Sequence, residues 1–238
     1  MKIIEVMDLC FSYEKGKDVL QKASFSIEKG DSLAVIGANG SGKTTLMLAL
    51  NGLIDGFEGE IRIDGIRLTP KTKHEIRKKS GLVFQDPDDQ LFCGDVYDDV
   101  AFGPQNMGLK QSEIENRVNY ALAAVDMKNY IHREPHHLSF GEKKRIAIAT
   151  VLSMKPDTLM LDEPSLGLDP KARYELISFL RQLNVTKIIS GHDLELLRAL
   201  CNKFIILKDG RITAAGTISE LFGDMQVLQE NELFFEIK

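Results

Sequence analysis

Short apolar runs alternate with longer amphipathic ones along this chain. Residues 32–36 (Ser-Leu-Ala-Val-Ile), 82–84, 158–161, 187–190 and 204–207 are brief and largely apolar, the pattern of strands covered on both faces. Nearer the start, residues 3–6, 9–13 and 24–27 read as strands joined by a polar turn around Lys15-Gly16-Lys17. Residues 60–63 alternate apolar and polar, then meet Asp64-Gly65, a pair that favours a hairpin turn. Helical spacing takes over from about Val96 to Met154, where Ile114, Val118, Ala121, Leu122 and Val125 share a face. Ser112, three residues ahead of Glu115, is the expected N-cap there, in a capping box. Residues 45–50, 171–183 and 194–200 also read as helices. Strands alternating with helices predict an α/β fold on a mainly parallel, doubly wound sheet. The helical middle then reads as an insertion into that core.

Between the run 32–36 and the helix-like run 45–50 lies Gly-Ala-Asn-Gly-Ser-Gly-Lys-Thr, a complete Walker A loop. Glycines let such a loop curl until its N–H groups converge on phosphate oxygens, and the helix N-terminus adds positive potential. Gly37, Ala38, Asn39, Gly40, Ser41, Gly42, Lys43, Thr44 and the following Thr45 are the expected nucleotide contacts. Lys43 would reach the β- and γ-phosphates, and the Thr44 hydroxyl would ligate magnesium. Further on, the apolar run 159–161 ends in Asp162-Glu163-Pro164. Carboxylates at the C-terminal end of a strand sit where open α/β sheets bind ligands. Asp162 is placed to hold magnesium, and Glu163 to polarise the water that attacks the γ-phosphate. Adjacent side chains on a strand point opposite ways, so the chain must bend here, and Pro164 suits a bend.

Composition narrows the partners. The formal net charge is −5 over 238 residues, which gives no overall electrostatic reason to expect nucleic acid. Hydrophobic residues make up 43%, enough for a sizeable core. Cys10, Cys93 and Cys201 are an odd, scattered set without metal-ligand spacing, which fits a reducing cytosol. The N-terminus lacks a secretory layout, and no apolar run nears the roughly 20 residues of a membrane-spanning helix. Any membrane role is then played beside a partner that does the spanning. Arg77-Lys78-Lys79 reads as a solvated face. His74, His132, His136 and His137 read as surface or helix-end residues, with the His136-His137 pair an unpromising metal site.

Between the two motifs lies Leu138-Ser139-Phe140-Gly141-Glu142-Lys143-Lys144-Arg145, ahead of an Ala/Ile-rich helix from about Glu142 to Leu152. Taken alone, Ser139 reads as a helix N-cap. Walker A, then Leu-Ser-x-Gly, then apolar-Asp-Glu-Pro, in that order, resembles the ATP-binding cassette (ABC) family from Tyr13 to about Gly216. The resemblance implies a P-loop NTPase core of RecA-like type with an antiparallel β subdomain and an inserted α-helical subdomain. It implies one cassette over residues 1–238: core 1–90 and 156–222, insertion about 91–155, and a short tail 223–238. It also implies ATP and Mg2+ as cofactors, and a head-to-tail pair of cassettes with each ATP between one Walker A and the other subunit's signature segment. Ser139, Gly141 and Glu142 would then contact the nucleotide of the partner chain. The family's usual form has Gly and Gln where Phe140 and Glu142 stand here, and activity is expected to survive the departure.

By the same resemblance Gln85 is the glutamine that touches magnesium and the attacking water, and His192 the histidine that senses the γ-phosphate. With Lys43 and Glu163 they form the expected catalytic set. Asp169, in Ser165-Leu166-Gly167-Leu168-Asp169, would couple the two sites across the dimer. Tyr13 matches the aromatic that stacks on adenine, although a core tyrosine of the first hairpin reads nearly as well.

No long coiled coil separates Walker A from the signature, as in repair ATPases, and the chain carries one cassette, not the two of translation factors. Residues 83–92, including Asp86-Pro87-Asp88-Asp89-Gln90, together with Asp98-Asp99-Val100-Ala101-Phe102-Gly103-Pro104, resemble energy-coupling factor transporters, particularly cobalt and nickel importers. Gln90 would be a second glutamine near the groove that receives coupling helices, while Asp86 to Asp89 also reads as a plain acidic turn capping a helix. The expected partners are a second ABC ATPase subunit (a copy or a paralogue), a transmembrane coupling subunit and a substrate-capture membrane subunit, with no nucleic acid. The expected location is the cytoplasmic face of the cell membrane. A non-transport ABC ATPase, a soluble regulator or nucleic-acid-linked, is the alternative. A P-loop kinase would leave the Ser139–Gly141 motif unexplained.

Overall fold

The computed structural model describes residues 1–14 and 16–223. Strands β1 (Lys2–Glu14) and β2 (Lys17–Glu28) form a long antiparallel pair, after which β3 (Ser32–Ile36) leads through a loop into α1 (Lys43–Leu50). β4 (Glu58–Ile63) pairs with the free side of β1 and turns back as β5 (Ile66–Arg67), giving a four-stranded antiparallel sheet in the order β2-β1-β4-β5. Asp64 and Gly65 at that turn have φ of 51° and 76°, the left-handed pair that a tight hairpin demands.

The second sheet starts after α2 (Lys73–Lys79) with β6 (Ser80–Val83). Three helices follow: α3 (Val96–Asn106), α4 (Gln111–Ala124) and α5 (Phe140–Leu152). The chain then returns as β7 (Thr158–Asp162), α6 (Pro170–Gln182), β8 (Thr186–Ser190), α7 (Leu194–Leu200), β9 (Lys203–Lys208), β10 (Arg211–Thr217) and α8 (Ile218–Gly223). The order is β10-β9-β3-β8-β7-β6, parallel throughout except where β10 pairs antiparallel with β9.

Alternation along these strands feeds two cores. On β3, Leu33 and Val35 join α1 and the antiparallel sheet, while Ala34 and Ile36 join the helices α3 to α5. β7 divides the same way, Met160 to one side and Leu159 and Leu161 to the other. With both faces covered, the strands can be apolar from end to end, and that is the pattern in the sequence.

Two local expectations fail. α4 begins at Gln111 with extended Lys110 ahead of it and no side-chain cap, so Ser112 lies inside the first turn. Gln111 instead donates to Glu115 one turn on, at 2.9 Å, which uses the acid expected in the box. The basic run at 77–79 closes α2 and is half-buried: Arg77 donates to the carbonyls of Asn51 and Gly52, and Lys79 pairs with Asp64. Arg77 and Lys79 thus act as structural clamps, and not as a solvated face. The bend expected after Asp162 is present and falls on Glu163, with φ at 46°, just ahead of Pro164. His136 and His137 are exposed, and both lie against Glu134, at 3.0 and 3.4 Å.

Pro104 sits inside α3 and has no N–H for the carbonyl of Val100. The Ser153 hydroxyl, fully buried at the end of α5, lies 2.8 Å from that carbonyl and 2.8 Å from the Thr150 carbonyl, so the two share its single proton.

Candidate phosphate-binding and hydrolysis site

β3 ends at Ile36 and the chain must curl within seven residues to start α1. A Cβ at Gly37 would lie 2.1 Å from the Leu207 carbonyl, so only glycine lets the loop pass so close to β9. Gly42, the residue before α1, has φ of 105° and faces the Val19 carbonyl, where a Cβ would lie at 2.8 Å. The sequence places both glycines by need.

Lys43 is buried, and its ammonium donates to the Gly37 and Ala38 carbonyls at 2.8 and 3.2 Å. The same nitrogen lies 3.1 Å from His192 Nε2 and 3.5 Å from Glu163 Oε1. His192 also lies 2.9 Å from Asn39 Oδ1 and 3.3 Å from Glu163 Oε1. Thus β3, β7 and β8 each deliver one member of the cluster from their C-terminal ends, where a parallel sheet gathers its ligands. Val19, Asn39, Gly40, Gly42, Lys43, Thr44, Thr45, Gln85, Glu163, Leu166 and His192 line a cavity of about 350 Å³.

The donor set fits a triphosphate and a hard cation. Thr44 Oγ1 donates to Asp162 Oδ2 at 2.7 Å, and Asp162 accepts a second bond from Ser190. Oxygen ligands of this kind suit magnesium, with Gln85 on the same cavity wall. Ser41 Oγ is buried without a hydrogen-bond partner inside the loop. Tyr13 is 60% exposed, which removes the core reading. Its hydroxyl lies 3.3 Å from Thr45 Oγ1 and its ring stands edge-on to Phe11, so the ring is held beside the start of α1.

Ser139, Gly141, Glu142 and Asp169 are not part of this cavity. They line a second one of about 530 Å³ with Tyr130, Phe140, Arg145, Gly167 and Leu168. Ser139 and Glu142 form a capping box at the start of α5: the Ser139 hydroxyl and N–H both donate to Glu142 Oε2, at 2.7 and 2.8 Å. These bonds, with a third from Tyr130, hold the Glu142 carboxyl below its usual range. Asp169 caps α6 by accepting from the N–H groups of Lys171 and Ala172.

Gln90 ties the end of β6 to α5, accepting from Phe84 N at 3.0 Å and donating to the Ala147 carbonyl at 2.8 Å. Asp86 caps the turn Pro87–Asp89, as the plainer sequence reading has it. Two supporting residues escaped sequence reading. Gly191 leaves room for the Glu163 carboxylate, since a Cβ there would lie 3.3 Å from Oε2. Lys144 is the other: a buried cation on the core face of α5, in register with Ala147, Ile148 and Val151. A charge at an apolar position of a helical stripe was the available signal.

A Walker A cradle, paired acids at a strand end and a histidine converging on one lysine define a P-loop ATPase. The family model described as ABC transporter matches residues 20–166, more than half of the chain, and the protein belongs to that family of ATP-hydrolysing cassettes. It is 44% identical to the energy-coupling factor transporter ATP-binding protein EcfA of Methanocaldococcus jannaschii, over 98% of this chain and 85% of that protein. CbiO1 of Clostridium perfringens, described as part of the ABC transporter complex CbiONQ, superposes with a TM-score of 0.84 at 37% identity, covering 98% of this chain and 95% of that one. The ATP-binding cassette MJ0796, solved as a dimer in a post-hydrolysis state with ADP and Pi, gives 0.81 at 25% identity, covering 90% and 98%.

Proposed function

We propose that this chain is the ATP-hydrolysing subunit of an energy-coupling factor importer. It drives uptake of a transition-metal ion, cobalt or nickel, or of a vitamin, through separate membrane subunits. It is one cassette: core 1–90 and 156–222, helical insertion about 91–155, and a tail 223–238 that lies outside the described residues from 224 on. It works from the cytoplasmic face as a peripheral protein, in keeping with the finding that no helix among the described residues is long and apolar enough to cross a membrane.

The observation that carries the reading is the division of phosphate-directed groups between two cavities with no lining residue in common. Lys43, Thr44, Gln85, Glu163 and His192 serve one nucleotide, while Ser139, Gly141, Glu142 and Asp169 serve the nucleotide of a second subunit, a copy or a paralogue. In the closed pair Glu163 takes a proton from water as its oxygen attacks the γ-phosphorus, and the bond to the β-phosphate oxygen breaks to leave ADP and phosphate. Lys43 neutralises charge on the phosphates, His192 holds the base and the loop at Asn39 in register, and Gln85 orients the water. Thr44, Asp162 and Gln85 would hold magnesium, which would supply charge neutralisation at the phosphate oxygens.

A groove supports the membrane partners. Leu53, Phe84, Phe92, Phe102, Met107 and Met154 line a cleft of about 470 Å³ between the sheet and α3. Phe92 and Phe102 are 66% and 47% exposed and stack edge to face at its mouth, an unusual exposure for two phenylalanines and one suited to the apolar face of a partner helix. Affinity purification from detergent-solubilised membranes, followed by mass spectrometry, tests the assignment. A membrane coupling subunit and a substrate-capture subunit are the expected companions. Recovery with duplex DNA or ribosomes and no membrane protein would contradict it.

A further inference from the structure

We propose that Lys144 is a positioning residue for hydrolysis: its ammonium holds the main chain of Glu163 and Pro164 in the conformation that delivers the Glu163 carboxylate to the phosphate cavity. The inference rests on the reading of Glu163 as the base. Lys144 is 4% exposed, and its Nζ donates to the Glu163 carbonyl at 2.9 Å and to the Pro164 carbonyl at 3.2 Å. Between those carbonyls and the strand stands the left-handed residue, Glu163, whose φ of 46° is one that a glutamate rarely adopts. The Leu166 N–H adds a bond to the Glu163 carbonyl at 3.2 Å, so that oxygen is fixed from two directions.

A cation is a poor filler for this position. Burial pushes the Lys144 ammonium down to about 8, against the opposing pull of the Glu163, Asp86 and Asp162 carboxylates. An apolar side chain of the same length would escape that desolvation, but it would leave the buried Pro164 carbonyl without its donor, so the two effects on stability oppose each other. What methionine could not do is hold two carbonyls. Lys144 also lies one turn into α5, over the Phe140 ring at 5.4 Å, within the helix whose N-cap is Ser139. The lysine therefore links the segment directed at the partner's nucleotide to the base serving this chain's own. A displacement of Ser139 and α5 on engaging that nucleotide would be passed to Glu163 through two hydrogen bonds.

Steady-state MgATP hydrolysis and equilibrium ATP binding by the full chain, wild type against Lys144→Met and Lys144→Gln, test this. The methionine variant should lose roughly ten- to a hundred-fold in kcat, the scale of a catalytic group displaced by up to an ångström. KM and the ATP dissociation constant should stay within about two-fold, since uniform binding is untouched, and the variant should remain folded at the assay temperature, because relief of the buried charge offsets part of the cost of the unpaired Pro164 carbonyl. The glutamine variant, which keeps an N–H donor on a shorter arm, should fall between the two in kcat. Either folded variant with wild-type kcat, or a loss that only follows a raised KM or partial unfolding at the assay temperature, would overturn the inference. Glu163→Gln is measured alongside. If it is inactive while the Lys144 variants turn over normally, the positioning role fails and the base stands; if it turns over at the wild-type rate, the base reading fails first.

Discussion

One methyl group placed at Gly191 would displace the proposed base and little else. The Cβ of Gly191→Ala would lie 3.3 Å from Glu163 Oε2, with the next neighbour, Asp193 N, at 3.9 Å. That contact is a few tenths of an ångström tighter than carbon and oxygen accept at rest, and the carboxylate is the group free to yield. Since misplacement by about 1 Å can cost a hundred-fold in rate, a shift of about a third of that predicts a three- to ten-fold fall in kcat. ATP affinity should not change, because the cradle from Gly37 to Thr45 is untouched. Gly191 has no left-handed φ, so alanine fits the backbone and should stabilise the fold by about 0.4–1 kcal/mol through the unfolded chain. The signature is thus an enzyme that is slower, no less stable, and equally able to bind. Steady-state hydrolysis, nucleotide titration and calorimetry on one preparation read all three. Unchanged kcat, or a loss of affinity in step with kcat, would refute the placement of the Glu163 carboxylate as the working group.

Two further outcomes follow from other contacts. Ser153→Ala should cost about 1–3 kcal/mol, because it removes the one hydroxyl proton that the Val100 carbonyl opposite Pro104 shares with the Thr150 carbonyl, and denaturant titration measures this directly. Glu142→Gln should lower stability by about 1 kcal/mol at neutral pH by weakening the capping box. Because the folded state holds the Glu142 carboxyl below its ordinary value, the wild-type advantage is fully present above that ordinary value and fades as pH falls through the folded one. A gap that persisted in acid would mean that charge at Glu142 is not its source.

Much of this architecture was legible because fully apolar strands and one-sided helices leave different periods. β3 and α7 begin and end where the pattern says, and five strands read as covered on both faces form the parallel part of one sheet. α2 escaped because it buries Ile76 alone, and one apolar residue has no period. The Ser112 cap failed because extended Lys110 starts the helix two residues earlier. Lys43, Thr44, Gln85, Glu163 and His192 were each singled out by motif, and they do surround one cavity. Gly191 and Lys144 were not, because their importance lies in what stands opposite: a carboxylate from β7 for one, two carbonyls beyond it for the other. Contacts between elements distant in sequence leave no local trace. The bend after Asp162 was legible from the paired acids, but the contacts that fix its left-handed residue were not: Ser190, which accepts the Glu163 N–H, and Lys144.

Hydrolysis by a mixture of two inactive variants tests the shared-site arrangement most directly. Lys43→Ala spoils the cavity that a chain keeps for itself, and Ser139→Arg spoils the segment that it lends. In a mixed pair, the intact cavity of the Ser139→Arg chain faces the intact segment of the Lys43→Ala chain. Random pairing of equal amounts should therefore restore up to about a quarter of wild-type turnover, one sound site in half of the dimers. A mixture as inactive as its two parents, with pairing confirmed by crosslinking, would mean that each chain works its nucleotide alone.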